Sequence, residues 1–266
     1  MNADSSKLIR HMNILKRDVF QVENKWPQFD LLLNDMLEMS STISNNSVVV
    51  SFERTLLYGG YSLVAPFFES QNFISLDCSP DSADERGAYN SPMVSDPDFI
   101  KIRYNRRSAI DDINLENNLA DFVLVPNLIH HVKDQDKLFS EMLRILKPGG
   151  RIYIFEAILR ELHQIPDDYI RYTPYGLKAF LEKLGMKIEK IETTGGPFSA
   201  IGYCWVQALQ YFPEDLRSEM SDWFYNKHYQ ELMSWEAMYK NNLVRNHTAF
   251  PVAFSLIAQK GFCDVG

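Results

Sequence analysis

Acidic residues and histidines stand close behind several apolar runs of this chain, where the end of a strand would expose them. Asp77 ends the run Asn72–Asp77, and His130 and His131 follow the run Asp121–Pro126 by a few residues. A carboxylate after a strand can accept hydrogen bonds from ribose hydroxyls, or it can cap a following helix. A histidine of near-neutral pKa can take a proton from a hydroxyl or an amine. A histidine pair in this position is more often structural, in capping or in packing under the sheet, than catalytic.

Seven short runs rich in β-branched and aliphatic residues predict strands that alternate with helical stretches. The predicted strands are Ser47–Phe52, Asn72–Asp77, Phe99–Tyr104, Asp121–Pro126, Arg151–Glu156, Met186–Glu192 and Val252–Gln259. This alternation predicts an α/β fold with a parallel sheet covered by helices on both faces. Ligands bind beyond the carboxyl ends of such strands, so the residues that follow each run are the candidates for a site.

Helical segments are predicted before the first strand and before the last. Apolar residues recur at three- and four-residue steps from Leu8 to Val19 and again from Phe29 to Leu37, as in two amphipathic helices. The long segment before the last strand carries aromatic residues at helical spacing, which indicates a helical insertion or cap. We therefore divide the chain into an N-terminal helical segment (1–46), a core (47–192), a helical insertion (193–250) and a last strand (251–266).

The composition argues against several classes of partner. The 266 residues carry a formal charge of −8, which disfavours a nucleic-acid or anionic-membrane surface. No apolar run approaches the ~20 residues of a membrane span, and no signal-peptide core is present, so we expect a cytoplasmic protein. The three cysteines, Cys78, Cys204 and Cys263, show neither metal-ligand spacing nor a disulfide framework. We expect no metal site.

Two segments on either side of one predicted helix carry a family resemblance. Residues 120–132 read Ala-Asp-Phe-Val-Leu-Val-Pro-Asn-Leu-Ile-His-His-Val, and residues 141–151 read Glu-Met-Leu-Arg-Ile-Leu-Lys-Pro-Gly-Gly-Arg. Together they resemble the fourth strand, and the helix-to-strand turn that follows, of Rossmann-like (class I) S-adenosylmethionine-dependent methyltransferases. The resemblance extends more loosely over 47–192 and includes the loop and helix start at 171–177. It implies a seven-stranded, mostly parallel sheet whose last strand is antiparallel.

The resemblance also implies S-adenosylmethionine as cofactor and residues to hold it. Glu53 stands in the usual acidic position after the first strand. The loop behind it keeps Tyr58, Gly59 and Gly60, where the backbone would approach the methionine part, but the first glycine of the family pattern is absent. This loop could instead be a tight turn into a helix over 61–68. The other residues that the resemblance assigns to the cofactor are Asp77, Cys78, Ser108, Ala109 and Asn127.

The chemistry of in-line methyl transfer demands chiefly orientation and exclusion of water. His131 is the candidate base, and His130, Glu156 and Tyr172 are candidates to contact the acceptor. Aromatic residues of the insertion could enclose the acceptor, or they could fill the core of the cap itself. The acidic charge and the enclosed crevice favour a small-molecule acceptor, and a homodimer is compatible with this fold.

Two other classes of protein remain open. The missing glycine is compatible with a binding or regulatory protein that kept the methyltransferase fold and lost activity. A nicotinamide-dependent oxidoreductase would use a related sheet, but the chain has no Gly-x-Gly-x-x-Gly after the first strand.

Overall fold

A single seven-stranded sheet runs through the computed structural model, which describes residues 3–20, 22–23, 26–55, 60–69, 71–79, 95–110, 112–163, 165–241 and 250–261. The strands are β1 (Val48–Glu53), β2 (Asn72–Asp77), β3 (Arg106–Arg107), β4 (Ala120–Pro126), β5 (Leu146–Ala157), β6 (Met186–Thr194) and β7 (Ala253–Lys260). Their order across the sheet is β3-β2-β1-β4-β5-β7-β6. The first five strands are parallel, and β7 is antiparallel to both of its neighbours. The predicted sheet is thus confirmed.

Seven α-helices surround the sheet in the described parts of the chain. They are α1 (Ala3–Ile14), α2 (Phe29–Thr42), α3 (Gln135–Ile145), α4 (Pro174–Lys183), α5 (Pro197–Ala208), α6 (Glu214–Phe224) and α7 (Gln230–Asn241). The helices at the N-terminus and the helical insertion before the last strand are therefore confirmed. The division at 46, 192 and 250 remains an interpretation. Within the described ranges, no helix is both long and apolar enough to cross a membrane.

Each face of the sheet packs against its own apolar cluster. On one face, α3 contributes Leu138 and Phe139 and α4 contributes Leu177, all fully buried. On the other face, α1, α2 and a 3-10 turn at Ala65–Phe68 cover β1, β4, β5 and β7, with Met36 of α2 among the buried residues. The buried carboxylates of the strands, Glu53, Asp77 and Glu156, lie at or next to the carboxyl ends of β1, β2 and β5, away from the apolar faces.

Local capping explains where the two helices beside the sheet begin. Asp134 accepts a hydrogen bond from the backbone N–H of Lys137 at the start of α3. Thr173 accepts one from the N–H of Gly176 at the start of α4, and Pro174 occupies the first turn, where no intrahelical donor is lost. The helix start predicted within 171–177 is confirmed.

The third strand differs from its prediction. Phe99–Tyr104 is not a strand, and the sheet edge is the two-residue β3, paired with Leu76 and Asp77. The apolar start of 99–104 packs on α1 instead, where the Phe99 ring lies 4.9 Å from that of His11. A short, charged edge strand also limits pairing with other chains.

The helix predicted over 61–68 is likewise wrong for most of its length. Only Ala65–Phe68 forms a helical turn. Tyr61 instead makes an isolated antiparallel bridge with Arg103, and the N–H of Ser62 donates to the carbonyl of Ile102. This pairing holds the chain extended after Gly60, so a helix cannot start there.

The insertion leaves and rejoins the sheet at one point. Gly195, directly after β6, has φ +94°, and a Cβ built there would lie 2.6 Å from Cγ2 of Val252, which precedes β7. The N–H of Val252 donates to the carbonyl of Thr194 at 2.8 Å. Glycine at 195 is therefore required by both its dihedral angle and its close neighbour.

We expect Gly195→Ala to destabilise the protein more than Gly185→Ala. Gly185 also has positive φ, but a Cβ there would meet nothing within 4 Å, so its replacement costs only the backbone strain of about 1–2 kcal/mol. Gly195→Ala adds overpacking of about 1–3 kcal/mol. Urea unfolding of both variants measures the difference, and equal losses would contradict this account of the Gly195–Val252 contact.

Candidate functional site

A cavity of about 530 Å³ lies at the edge of the sheet where β1, β2 and β4 end. Its size is within the ~300–1,000 Å³ of small-molecule sites. Its lining combines polar and apolar groups: Arg54, Cys78, Ser79, Arg107, Ser108, Ala109, Ile110, Leu128, His131, Val132 and Asp167. Four residues predicted from the sequence therefore share one cavity: Cys78, Ser108, Ala109 and His131.

Asp77, at the end of β2, is completely buried beside this cavity. Its Oδ1 accepts hydrogen bonds from the N–H and hydroxyl of Thr55, both at 2.8 Å, and from the hydroxyl of Ser79 at 2.7 Å. Its Oδ2 is also buried and has no hydrogen-bond partner among the described residues. Nε of Arg107 lies 3.7 Å from Oδ2. One oxygen of Asp77 thus organises the loop after β1, and the other remains able to accept.

Glu53, at the end of β1, has both oxygens engaged within the protein. Oε1 accepts from the hydroxyls of Ser62 at 2.6 Å and Ser75 at 3.2 Å, and Oε2 accepts from the N–H of Leu63 at 3.0 Å. Burial raises the pKa of Glu53. The side chain therefore holds the chain after Gly60 in place and does not line the cavity. Its contact with a cofactor stays a prediction.

The glycine loop after β1 is described only in part. Tyr58 and Gly59 lie outside the described residues. Gly60 has φ +81°, a conformation that favours glycine, and its N–H donates to the carbonyl of Thr55. Arg54, which is not among the predicted site residues, follows Glu53 directly and lines the cavity.

The short β3 places the wall of the cavity opposite Asp77. The N–H of Ser108 donates to the carbonyl of Asp77, and Ala109 bridges to Asp112. Cys78 lies across from them, half-buried, and burial raises the pKa of its thiol. Ser108 and Ala109 thus line the cavity after a strand that is shorter than predicted, and their contact with a cofactor stays a prediction.

Asn127 follows β4 in a left-handed conformation with φ +59°. Its N–H donates to the carbonyl of Phe155, and its side-chain Oδ1 is buried without a hydrogen-bond partner in the described structure. Asparagine tolerates this conformation better than most residues. Asn127 does not itself line the cavity, but it directs the chain to Leu128, which does.

A buried pair of ionisable groups joins the ends of β4 and β5. Nδ1 of His130 lies 2.6 Å from Oε2 of Glu156, and the N–H of Ile129 donates to Oε1 at 2.7 Å. Both side chains are almost fully buried. Burial raises the pKa of Glu156 to about 8 and lowers that of His130 well below its ordinary value. The pair is therefore held together with little net charge, and neither residue faces the cavity.

A third histidine completes a cluster that the chain spacing did not indicate. His163, in the loop after β5, lies with His130 and His131 so that one ring nitrogen from each falls within 4.8 Å of the others. Nδ1 of His163 lies 3.0 Å from Oδ2 of Asp168, while Nδ1 of His131 donates to the carbonyl of Asp167. His163 stands 32 residues after His131, so only the fold brings the rings together.

Burial keeps these histidines neutral. It lowers the pKa of His163 to about 3 and the pKa of His131 further still. The same burial weakens His131 as a proton acceptor, because a group with a low pKa binds a proton poorly. His131 lies on the cavity wall, and its role as a base stays a prediction that its low pKa does not favour.

Tyr172 does not reach the cavity. It is half-buried against the apolar cluster beside α3 and α4, with its ring 6.1 Å from that of Phe180. Burial raises the pKa of its hydroxyl. Its predicted contact with an acceptor has no geometric support, since its ring packs beneath the start of α4.

A second cavity, of about 870 Å³, lies within the helical insertion. Its lining is almost entirely apolar: Leu159, Pro197, Ala200, Ile201, Cys204, Trp205, Ala208, Trp223, Phe224, His228, Glu231, Leu232, Trp235 and Phe250. The loop after β5 contributes to this cavity and to the histidine cluster, because Leu159 lines the cavity and His163 belongs to the cluster. The aromatic residues of the insertion thus surround a space as well as packing on one another.

Comparison with known proteins relates this architecture to one domain type. Residues 57–154 match the family model described as "Methyltransferase domain". The ubiquinone/menaquinone biosynthesis C-methyltransferase UbiE of Idiomarina loihiensis is 34% identical over 71 residues, which cover 26% of this chain and 28% of the relative. UbiE of Vibrio cholerae is 31% identical over 71 residues, which cover 26% of this chain and 27% of the relative. The chain therefore spans just over a quarter of the length of the curated relatives it matches.

Solved structures extend the similarity to nearly the whole chain. The [4+2]-cyclase SpnF is 13% identical with a TM-score of 0.51, covering 98% of this chain and 97% of its own. A candidate sarcosine dimethylglycine methyltransferase from Galdieria sulphuraria is 14% identical with a TM-score of 0.51, covering 96% of this chain and 98% of its own. At these identities, the similarity shows the shared fold alone.

Acid should destabilise the protein through its buried histidines. A histidine whose pKa is lowered by folding stays neutral in the folded protein, but below pH ~6.5 it takes up a proton in the unfolded chain. The free energy of unfolding therefore decreases as the pH is lowered. Between about pH 6 and 4, each such residue contributes about 1.4 kcal/mol per pH unit. We expect His163→Gln to reduce this slope by that amount in urea unfolding at several pH values with EDTA present. Identical slopes would contradict the neutral state of His163.

Proposed function

We propose that this chain transfers a methyl group from S-adenosylmethionine to a small-molecule acceptor. The premise is that the chain belongs, through residues 57–154 and through its fold, to the class I S-adenosylmethionine-dependent methyltransferase family. The observation that carries the proposal is the cavity of about 530 Å³ beside Asp77, whose Oδ2 is buried without a hydrogen-bond partner in the described structure. A buried oxygen of this kind is costly unless a donor reaches it. A ribose hydroxyl is such a donor.

The residues around the cavity fit the adenosine part of the cofactor. Asp77 Oδ2 would accept from the ribose, and Cys78, Ser108 and Ala109 would border the base. Nε of Arg107 lies 3.7 Å from Oδ2 of Asp77, but the Arg107 side chain is 42% exposed and can turn aside. When bound, S-adenosylmethionine supplies a methyl group on a positively charged sulfur, which a nucleophile displaces in line.

The protein's own contribution is then positional. Neutral His131 on the cavity wall can hold an acceptor hydroxyl or amine through Nε2, because Nδ1 is already engaged with Asp167. Leu128 and Val132 cover the same wall and exclude water. Fixing the reactants in this way supplies up to about 7–11 kcal/mol of the barrier reduction.

The acceptor that we propose has an apolar part held by the insertion. The cavity of about 870 Å³ within α5–α7 is walled by aliphatic and aromatic side chains, which favour an apolar ligand by about 25 cal/mol per Å² of buried apolar surface. The formal charge of −8 disfavours nucleic acid as the acceptor. The curated relatives are named as C-methyltransferases of ubiquinone and menaquinone biosynthesis, which also supports a small-molecule acceptor.

The test of cofactor binding is Asp77→Asn, measured by calorimetry with S-adenosylhomocysteine. The amide of asparagine keeps an oxygen that can accept from Thr55 and Ser79. It places an NH₂ group, which cannot accept, where Oδ2 would accept a hydrogen bond from the ribose. We expect the affinity to fall at least about tenfold, since a charge-assisted hydrogen bond is lost.

Asp121→Asn is the matched control, because it removes the same charge from the start of β4, at the opposite edge of the sheet, where Asp121 binds Lys147. The affinity of Asp121→Asn for S-adenosylhomocysteine should equal that of the wild type. Equal affinities for all three proteins would remove Asp77 from the site. No wild-type binding at millimolar S-adenosylhomocysteine would contradict the proposed function and favour a binding or regulatory role for the fold.

Filling the cap cavity should weaken apolar ligands and spare the cofactor. We expect Ala208→Trp to reduce the binding of 8-anilinonaphthalene-1-sulfonate, an apolar fluorescent probe, by about tenfold or more, because the indole occupies the space of the probe. S-adenosylhomocysteine affinity should not change. Met238→Trp, on an exposed position of α7 outside the lining, is the control. Unchanged probe fluorescence in Ala208→Trp would contradict an apolar ligand site there.

A further inference from the structure

We propose that His130, His131 and His163 form a binding site for a divalent transition-metal cation of the zinc class. One ring nitrogen from each lies within 4.8 Å of the others. The rings of His130 and His131 are 3.9 Å apart between centroids, and His163 lies 5.3 Å and 4.8 Å from them. Imidazole nitrogen is a preferred ligand of zinc and neighbouring divalent metals.

Oxygen atoms hold each ring by the same nitrogen. Nδ1 of His130 faces Glu156 Oε2 at 2.6 Å, Nδ1 of His163 faces Asp168 Oδ2 at 3.0 Å, and Nδ1 of His131 faces the carbonyl of Asp167. A proton on Nδ1 satisfies these oxygens and leaves a lone pair on each Nε2. Metal-binding histidines in proteins are held in this way, by a carboxylate or a carbonyl behind the ring.

One of the remaining nitrogens lacks a partner. Nε2 of His130 is buried and has no hydrogen-bond partner among the described residues, and a buried acceptor left unpaired is unfavourable. One cation would serve the lone pairs of all three rings. Its charge would be offset by the carboxylate of Asp168, which is also paired with Arg171.

The distances are compatible with a modest closure of the cluster. Nitrogens bound tetrahedrally to one zinc ion at ~2.0–2.1 Å lie about 3.4 Å apart, so from a separation of up to 4.8 Å the rings would need to approach by about 1.5 Å or less. Rotation of His131 can supply this movement, because that ring is only half-buried on the cavity wall.

The arrangement suits a metal with an open position. Three protein ligands leave a fourth site on a tetrahedral ion, and the half-buried His131 places that site towards the cavity of about 530 Å³. Water or an oxygen of a bound molecule could occupy it. The expectation of no metal, drawn from spacing along the chain, is revised by this proposal, which does not depend on the proposed methyltransferase function. With a cation bound, Nε2 of His131 would be a metal ligand, and the open position on the cation would hold the acceptor group in its place.

The experiment uses the whole purified chain, stripped with EDTA and titrated with Co²⁺ alone. We expect one equivalent to bind with visible d–d absorption, and Zn²⁺ to displace it. His163→Gln should weaken Co²⁺ binding at least about a hundredfold, since the loss of a ligand exceeds the 10–100-fold effect of losing a group behind one. Zn²⁺ should raise the Tm of the wild type and not of the variant.

The control is His228→Gln, which removes a histidine in the insertion far along the chain from the cluster and should leave Co²⁺ binding unchanged. His131→Gln serves as a second variant if His163→Gln does not fold, as judged by circular dichroism in EDTA. The proposal is overturned by wild-type protein that binds no stoichiometric Co²⁺, by cluster variants of wild-type affinity, or by equal loss in His228→Gln. S-adenosylhomocysteine affinity, measured separately in EDTA, distinguishes failure of this site from failure of the proposed function.

Discussion

The burial of three carboxylates at the carboxyl ends of β1, β2 and β5 is the constraint around which this edge of the sheet is arranged. Glu53, Asp77 and Glu156 are each buried, and a buried charge or polar group is tolerated only when hydrogen bonds replace the water it has lost. Both faces of the sheet are apolar, so most of those hydrogen bonds come from the loops that follow the strands, and one comes from Ser75 within β2. The loop conformations at the candidate site are thus consequences of satisfying these acids.

The three carboxylates differ in how many of their oxygens accept hydrogen bonds within the protein. That difference distinguishes the acids that hold the structure together from the acid that is available to a ligand. Glu53 uses both oxygens to hold Ser62, Leu63 and Ser75, which shapes the chain after the glycine loop. Glu156 uses both on Ile129 and His130, which ties β4 to β5. Asp77 uses only one. The oxygen that remains is what makes the adjoining cavity a candidate for a hydroxyl-bearing ligand.

The insertion adds a second kind of environment to the polar edge of the sheet. Its helices surround an apolar cavity, while the loop after β5 contributes Leu159 to that cavity and His163 to the histidine cluster. Glu236 of α7 accepts from the N–H groups of Phe198 and Ser199 at the start of α5, so the helices of the insertion are held to one another. An apolar ligand portion and a polar reacting group would be accommodated by neighbouring parts of the same loop.

Periodicity and helix-stop signals along the chain were sufficient for the sheet, the helices beside it and the position of Asp77, because these depend on local patterns of apolar residues and on capping. The third strand and most of the helix over 61–68 were wrong, since Phe99 and Ser62 are held by tertiary partners that no local pattern reveals. Only the tertiary structure decided which oxygen of Asp77 remains available, that Tyr172 packs away from the cavity, and that His163 joins His130 and His131. Each of these is a matter of distance between residues far apart in sequence, set by the packing of loops on the sheet.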